Sequence, residues 1–379
     1  MNILKASVHE NTENGEDRLK WRYQDKSYNE SYKQWRKRNK DSAGFYFAEN
    51  PNQLTYQDGV GFIKDAPEVH EEKAMRRTLA VLGAVLLFRV FFDAFSIYIL
   101  PELLGAMGFD ISYDVFTKRL YGSESLLITI KFLTEAFSVI IPTLMLAAGF
   151  KLPFKVMLPM RTGNKHMFKV CVPAAVLIGG VCCCLSEVLR RVFQMPDMSL
   201  QTQFPTTGFG WAYVIITHII LIPVISELCS GGIVLQLMRQ FGDGVALVLT
   251  SFITAAFCYD FSQFLFYFTA AMTIRYFTIR TGSVLSGTVM RLVLSVYTFG
   301  LLLIRYSRGS IFGILYLLVT LVFGLVFTIR FLYRHSDSFG VTMKSRYASF
   351  GKKMMWIITS VPVILWITAA LIVTMLNSI

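Results

Sequence analysis

From Ile222 to Tyr297 the chain contains IPVISELCSGG (222–232), FGDGVALVLTSFITAAFCYDF (241–261) and YFTIRTGSVLSGTVMRLVLSVY (276–297). Each segment is overwhelmingly apolar, and isolated polar residues, Glu227 and Arg291 above all, interrupt them. A spanning helix needs about 20 mostly apolar residues. A lone carboxylate at membrane depth is costly and normally has a partner. The stretch therefore predicts successive transmembrane helices enclosing a polar site.

Composition carries that reading to the whole chain. Of 379 residues, 54% are hydrophobic, 14% aromatic and only 16% charged, with mean hydropathy +0.50. This pattern predicts an all-α polytopic membrane protein. The net charge of +12 does not point to nucleic acid, because the first 77 residues are nearly balanced, with 14 Lys/Arg against 13 Asp/Glu. The excess sits largely in short loops, where it sets topology. No apolar leader opens the chain at MNILKASVHENTENGED, so no signal peptide is expected.

Nine apolar windows are candidate spans: 78–100, 125–149, 168–189, 211–236, 244–260, 262–279, 283–304, 310–330 and 354–376. The fifth and sixth are divided only by Asp260 to Gln263, so eight or nine helices are expected. Loop 151–169 carries five basic residues and no acid, and loop 330–353 carries six against Asp337. Segment 194–210 has no basic residue, and 101–124 has four acids and two bases. Basic loops stay cytoplasmic, which predicts a plasma-membrane protein with a cytoplasmic N-terminus. Arg305 and Arg308 dissent, falling on the outer side.

Residues 1–75 read as a polar, partly disordered tail with one helix around Tyr28–Arg38. The cluster Trp35-Arg36-Lys37-Arg38 has the chemistry to touch anionic lipid, although a solvated tail is the blander reading. Residues 76–305 form the expected membrane core and 306–379 two further helices. The cysteines, Cys171, Cys182, Cys183, Cys184, Cys229 and Cys258, lie in apolar runs without metal-ligand spacing. The small residues from Ile178 to Cys184 suit close helix approach, and Phe241-Gly242-Asp243-Gly244 reads as a short turn.

The motif region resembles the intramembrane CAAX-protease and bacteriocin-processing (CPBP, or Abi) metalloprotease family. That family has Glu-Glu-x-x-x-Arg on one helix, Phe-x-x-x-His on the next and His-x-x-x-Asn/Asp two helices later. The matching positions are Ser226, Glu227 and Gly231, then Phe257 and Phe261, then Arg291 and Ser295. On the nine-window count they fall on helices four, five and seven, as the resemblance implies. Only Glu227 and the non-catalytic Phe257 survive.

Losing a general acid or base costs on the order of 10² to 10⁴ in rate, and groups acting as a unit fail together. The resemblance therefore implies a pseudoprotease without metal or other cofactor. It would hold a membrane-associated peptide or protein partner in the former active-site cavity. A divergent active endopeptidase and a transport or export component are the alternatives. Two stand-ins are poorly placed for a rebuilt site. His218 lies nine residues before Glu227, ~13 Å along the helix, and Asp260 is offset by ~100° from Phe261.

Glu227 and Arg291 are instead expected to form a buried structural ion pair. Arg89 and Asp93, and likewise Lys131 and Glu135, are four apart and share a helix face, where each pair is expected to offset its charges. A transport pathway would also place ionisable groups there. Membrane lipid is the surrounding partner in every reading.

Overall fold

Among the described residues each of the nine apolar runs falls on a helix, and the last, 354–376, is divided between two helices. In this computed structural model the described residues are 54–57, 61–64, 67–114, 119–150, 157–160, 165–192, 205, 207–334 and 347–378. The helix expected at Tyr28–Arg38 and its basic cluster lie outside them. Two small antiparallel hairpins accompany the helices. Strands β1 (Leu54–Gln57) and β2 (Gly61–Lys64) pair ahead of the first helix, and β3 (Ile111–Asp114) and β4 (Arg119–Gly122) pair after it. Both strand β1–β2 and the first helical turns fall in the stretch expected as tail.

The helices are α1 (Pro67–Ala106), α2 (Glu124–Gly149), α3 (Lys165–Val192), α4 (Gly208–Arg239), α5 (Asp243–Ala256), α6 (Phe261–Thr281), α7 (Val284–Arg308), α8 (Ser310–Arg334), α9 (Phe350–Ile358) and α10 (Val361–Ser378). Among the described residues six are long and apolar enough to cross a membrane, or seven if α9 and α10, bent by 65°, form one span. Eight or nine were expected. The shortfall lies in α5, whose 14 residues reach only ~21 Å, and in α6, which carries Gln263, Arg275 and Arg280 among its apolar residues.

The division between the fifth and sixth segments comes earlier than expected. α5 ends at Ala256, and Phe257 to Asp260 turn the chain, with Tyr259 in the left-handed region at φ 48°. Asp260 then caps α6, accepting from the Ser262 backbone N–H at 2.7 Å. At the far end, Gly282 at φ 67° closes α6, and Ser283 caps α7 by accepting from Leu285 N–H.

Contacts sort the helix ends into two groups. At one end Lys353 meets Glu71 at 2.6 Å and donates to the Phe241 carbonyl at 2.7 Å. Glu71 also accepts from the Ala348 N–H at 2.8 Å, while Val284 N–H binds the Pro159 carbonyl. At the other end Glu124 accepts from Thr207, Arg305 pairs with Glu187 at 3.6 Å, and Tyr259 donates to Asp93 at 2.9 Å. The dissenting Arg305 is thus partnered by an acid from α3. Lys353, counted above as a loop charge, is fully buried in an ion pair.

Two large apolar cores and a small third one, around Ala147, Met157 and Ile233, fill the bundle. One large core joins α1, the end of α4, α5, α9 and α10 around Leu79, Leu235, Phe241 and Trp366. The other large core joins α3, α6 and α7 around Cys171, Cys182, Phe266 and Met290. The small stretch of α3 allows the close approach expected of it. A Cβ on Gly179 would stand 2.9 Å from the Tyr297 ring. A Cβ on Gly324 of α8 would likewise meet the Leu177 backbone at 2.8 Å.

Candidate functional site

Helix α4 carries Glu227 between two π-helical stretches, Ile215–Leu221 and Leu228–Val234. Such widened turns recur at functional sites. Glu227 is 2% exposed and is held by Arg275 of α6, itself 1% exposed, through the Arg275 Nη1 and the Glu227 Oε1. Arg275 Nη2 donates to Ser230 Oγ at 2.8 Å and Thr254 Oγ1 at 3.3 Å, while Arg275 Nε is buried without a hydrogen-bond partner among the described residues. Helices α4, α5 and α6 are thereby pinned at one point.

Two glycines make room for this pair. A Cβ on Gly231 would stand 2.0 Å from the Glu227 carboxylate oxygen and 2.8 Å from the Arg275 guanidinium. A Cβ on Gly287 of α7 would stand 2.6 Å from the same oxygen. The burial of both charges is tolerable because each meets an opposite charge and the guanidinium also meets hydroxyls.

The partner of Glu227 is therefore Arg275 and not Arg291, which corrects the expected pairing. Arg291 stands over the Tyr267 ring of α6, its Cζ 5.4 Å from the centroid. The cause is helix packing: α7 turns Gly287, one turn before Arg291, toward Glu227, and the space a second guanidinium would need is already filled. Arg275 was missed because it lies outside the motif spacing; its sequence signal was a lone Arg in a run of apolar and small polar residues.

The other motif positions are dispersed. Ser226 is half-buried and its hydroxyl donates to the Pro223 carbonyl at 3.0 Å. Phe257 and Phe261 do not share a helix, because Phe257 follows the end of α5 and Phe261 opens α6, 42% exposed. Ser295 is half-buried, and its carbonyl accepts from Thr298. His218 is bonded to the neighbouring Thr217 at 2.8 Å, and Asp260 is occupied as a helix cap. Among the described residues no three His, Cys, Asp or Glu side chains are grouped to hold a metal ion.

A second set of charged residues, on α1 and α2, accompanies the Glu227–Arg275 pair. Arg89 pairs with Asp93 at 3.8 Å, as expected, while its guanidinium lies over the Phe257 ring at 3.7 Å. Arg89 also borders a small cavity with Pro142, Thr143, Cys229, Ser230 and Val234, which reaches the hydroxyl that binds Arg275. Lys131 and Glu135 lie within electrostatic reach of each other, as their spacing predicts, and among the described residues neither closes an ion pair or a hydrogen bond. Glu135 lies within electrostatic reach of Asp93, Lys131 and Tyr267, and Lys131 within reach of His218.

No family model, curated protein or solved structure matches this chain.

Proposed function

We propose that this chain is a non-catalytic relative of the CPBP intramembrane proteases. It would hold a membrane-associated peptide or protein partner in the space that serves catalysis in that family. The observation that carries the reading is the buried ion pair of Glu227, the one motif carboxylate retained, with Arg275 in a site shaped by Gly231 and Gly287. A carboxylate so held cannot readily leave its guanidinium to activate water. We place the protein in the plasma membrane with its N-terminus cytoplasmic, on the strength of the basic loops 151–169 and 330–353.

A photocrosslinking residue substituted for Val139, beside the Arg89–Ser230 cavity, tests the binding role in native membranes. A discrete polypeptide adduct, absent when the residue is moved to the outer face at Leu318, is the expected result. Cleavage of a membrane-anchored reporter that disappears in Glu227→Ala would instead establish an active endopeptidase. One observation favours transport as the second reading: Lys131 and Glu135 are charged residues on a spanning helix that, among the described residues, close no ion pair or hydrogen bond. Substrate flux in proteoliposomes that falls in Glu135→Gln would support it.

A further inference from the structure

We propose that the cavity beside Arg89, between α1, α2, α4 and α5, binds one ordered water molecule that bridges Arg89 to the hydroxyls of Thr143 and Ser230. The inference concerns the inside of the bundle, and it stands whether the chain binds a partner, cleaves a peptide or transports a solute.

Size limits the occupant first. The cavity measures about 20 Å³, and about 10–15 Å³ suffices for one water. The occupant is therefore a single water-sized species.

Hydrogen-bonding capacity then selects among such species. Arg89 is 19% exposed on a spanning helix, and its Nε is buried without a hydrogen-bond partner among the described residues. Asp93 stands 3.8 Å away, too far for a hydrogen bond, and its Oδ2 accepts from Tyr259 instead. The Thr143 hydroxyl gives its proton to the Val139 carbonyl at 2.6 Å. Ser230 gives its own to the Ser226 carbonyl while accepting from Arg275. A hydroxyl has one proton and two acceptor sites, so each of these can only accept from an occupant. The cavity thus offers donors from α1 and acceptors from α2 and α4. A halide could only accept and an ammonium could only donate, whereas water does both.

Charge points the same way. Arg89 is offset by Asp93 and Arg275 by Glu227, so an anion would add an uncompensated charge at membrane depth. Because the Ser230 hydroxyl also holds Arg275, the water joins α1 and α2 to the Glu227–Arg275 pair.

A crystal structure of the full-length chain, at a resolution that orders solvent, tests the site. One solvent peak within hydrogen-bond distance of Arg89, Thr143 and Ser230 is the expected result, with no anomalous peak after bromide soaking and no xenon under pressure. A bromide peak would make the site anionic, a xenon peak would make it dry, and the absence of any peak would remove the bridge. Each of these overturns the proposal. Thr143→Val, which keeps the shape but deletes an acceptor, should lose the solvent peak and lower the unfolding midpoint more than Thr288→Val. Thr288 likewise gives its proton to a carbonyl one turn back, Val284 at 3.1 Å, but does not line the cavity. Equal shifts would reduce Thr143 to a helix bond and overturn the bridge. The unsubstituted protein decides the matter even where a variant fails to fold.

Discussion

At the scale of single residues, a buried carboxylate dictates its surroundings. That Glu227 needs a cation was legible in the sequence, because a lone acid in an apolar run has few alternatives. Which cation was not legible, since Arg275 and Arg280 lie on α6 and Arg291 on α7. The choice is made by helix rotation and by two missing Cβ atoms, at Gly231 and Gly287. Arg275→Met should destabilise the protein by about 3–5 kcal/mol by leaving Glu227 uncompensated. The double variant Glu227→Gln/Arg275→Met should recover much of that loss, because the orphaned charge is gone. Thermal unfolding midpoints in one detergent compare the two, and a double variant no more stable than Arg275→Met would refute the pairing energetics. Lys131 and Glu135 show how far spacing reaches: a shared face brings the two charges within electrostatic reach, as expected, without joining them in a hydrogen bond among the described residues.

Among elements, hydrophobic runs located every helix, but breaks within and between them depended on local stereochemistry. The turn at Phe257–Asp260 precedes the expected division because Asp260 serves the following helix as its cap and not the turn itself. Asp260→Ala should therefore cost about 1 kcal/mol, with faster amide exchange confined to the first turn of α6. The bend between α9 and α10 falls just before Pro362, which the continuous window 354–376 concealed. Helix pairing, in turn, rests on small residues. Gly324→Leu would drive a side chain into the Leu177 backbone, and should lower the unfolding midpoint far more than the same change at exposed Gly351. A disulfide probe or distance label across α3 and α8 would report the accompanying separation.

For the molecule as a whole, the all-helical membrane class was written in composition and run length, whereas the number of true spans was not. Segment α5 is too short and α6 too polar to count alone, and both are held by neighbours. The two groups of helix ends give the charge-based orientation a direct test. Asp110→Cys should react with a membrane-impermeant maleimide in intact cells, and Gly351→Cys only after permeabilisation. The reverse pattern would invert the topology. The Glu71–Lys353 pair carries a further consequence, for synthesis. Glu71 sits in the first helix, but the Ala348 amide that binds it comes 277 residues later, and Lys353 follows that. During translation the first helix thus carries an acid whose counter-charge has yet to be made. Chains ending before residue 347 should appear as short-lived species in pulse–chase labelling, even with eight of the nine apolar runs already synthesised. Completion of the last helix is then the event that lets a quality-control protease distinguish finished protein from unfinished.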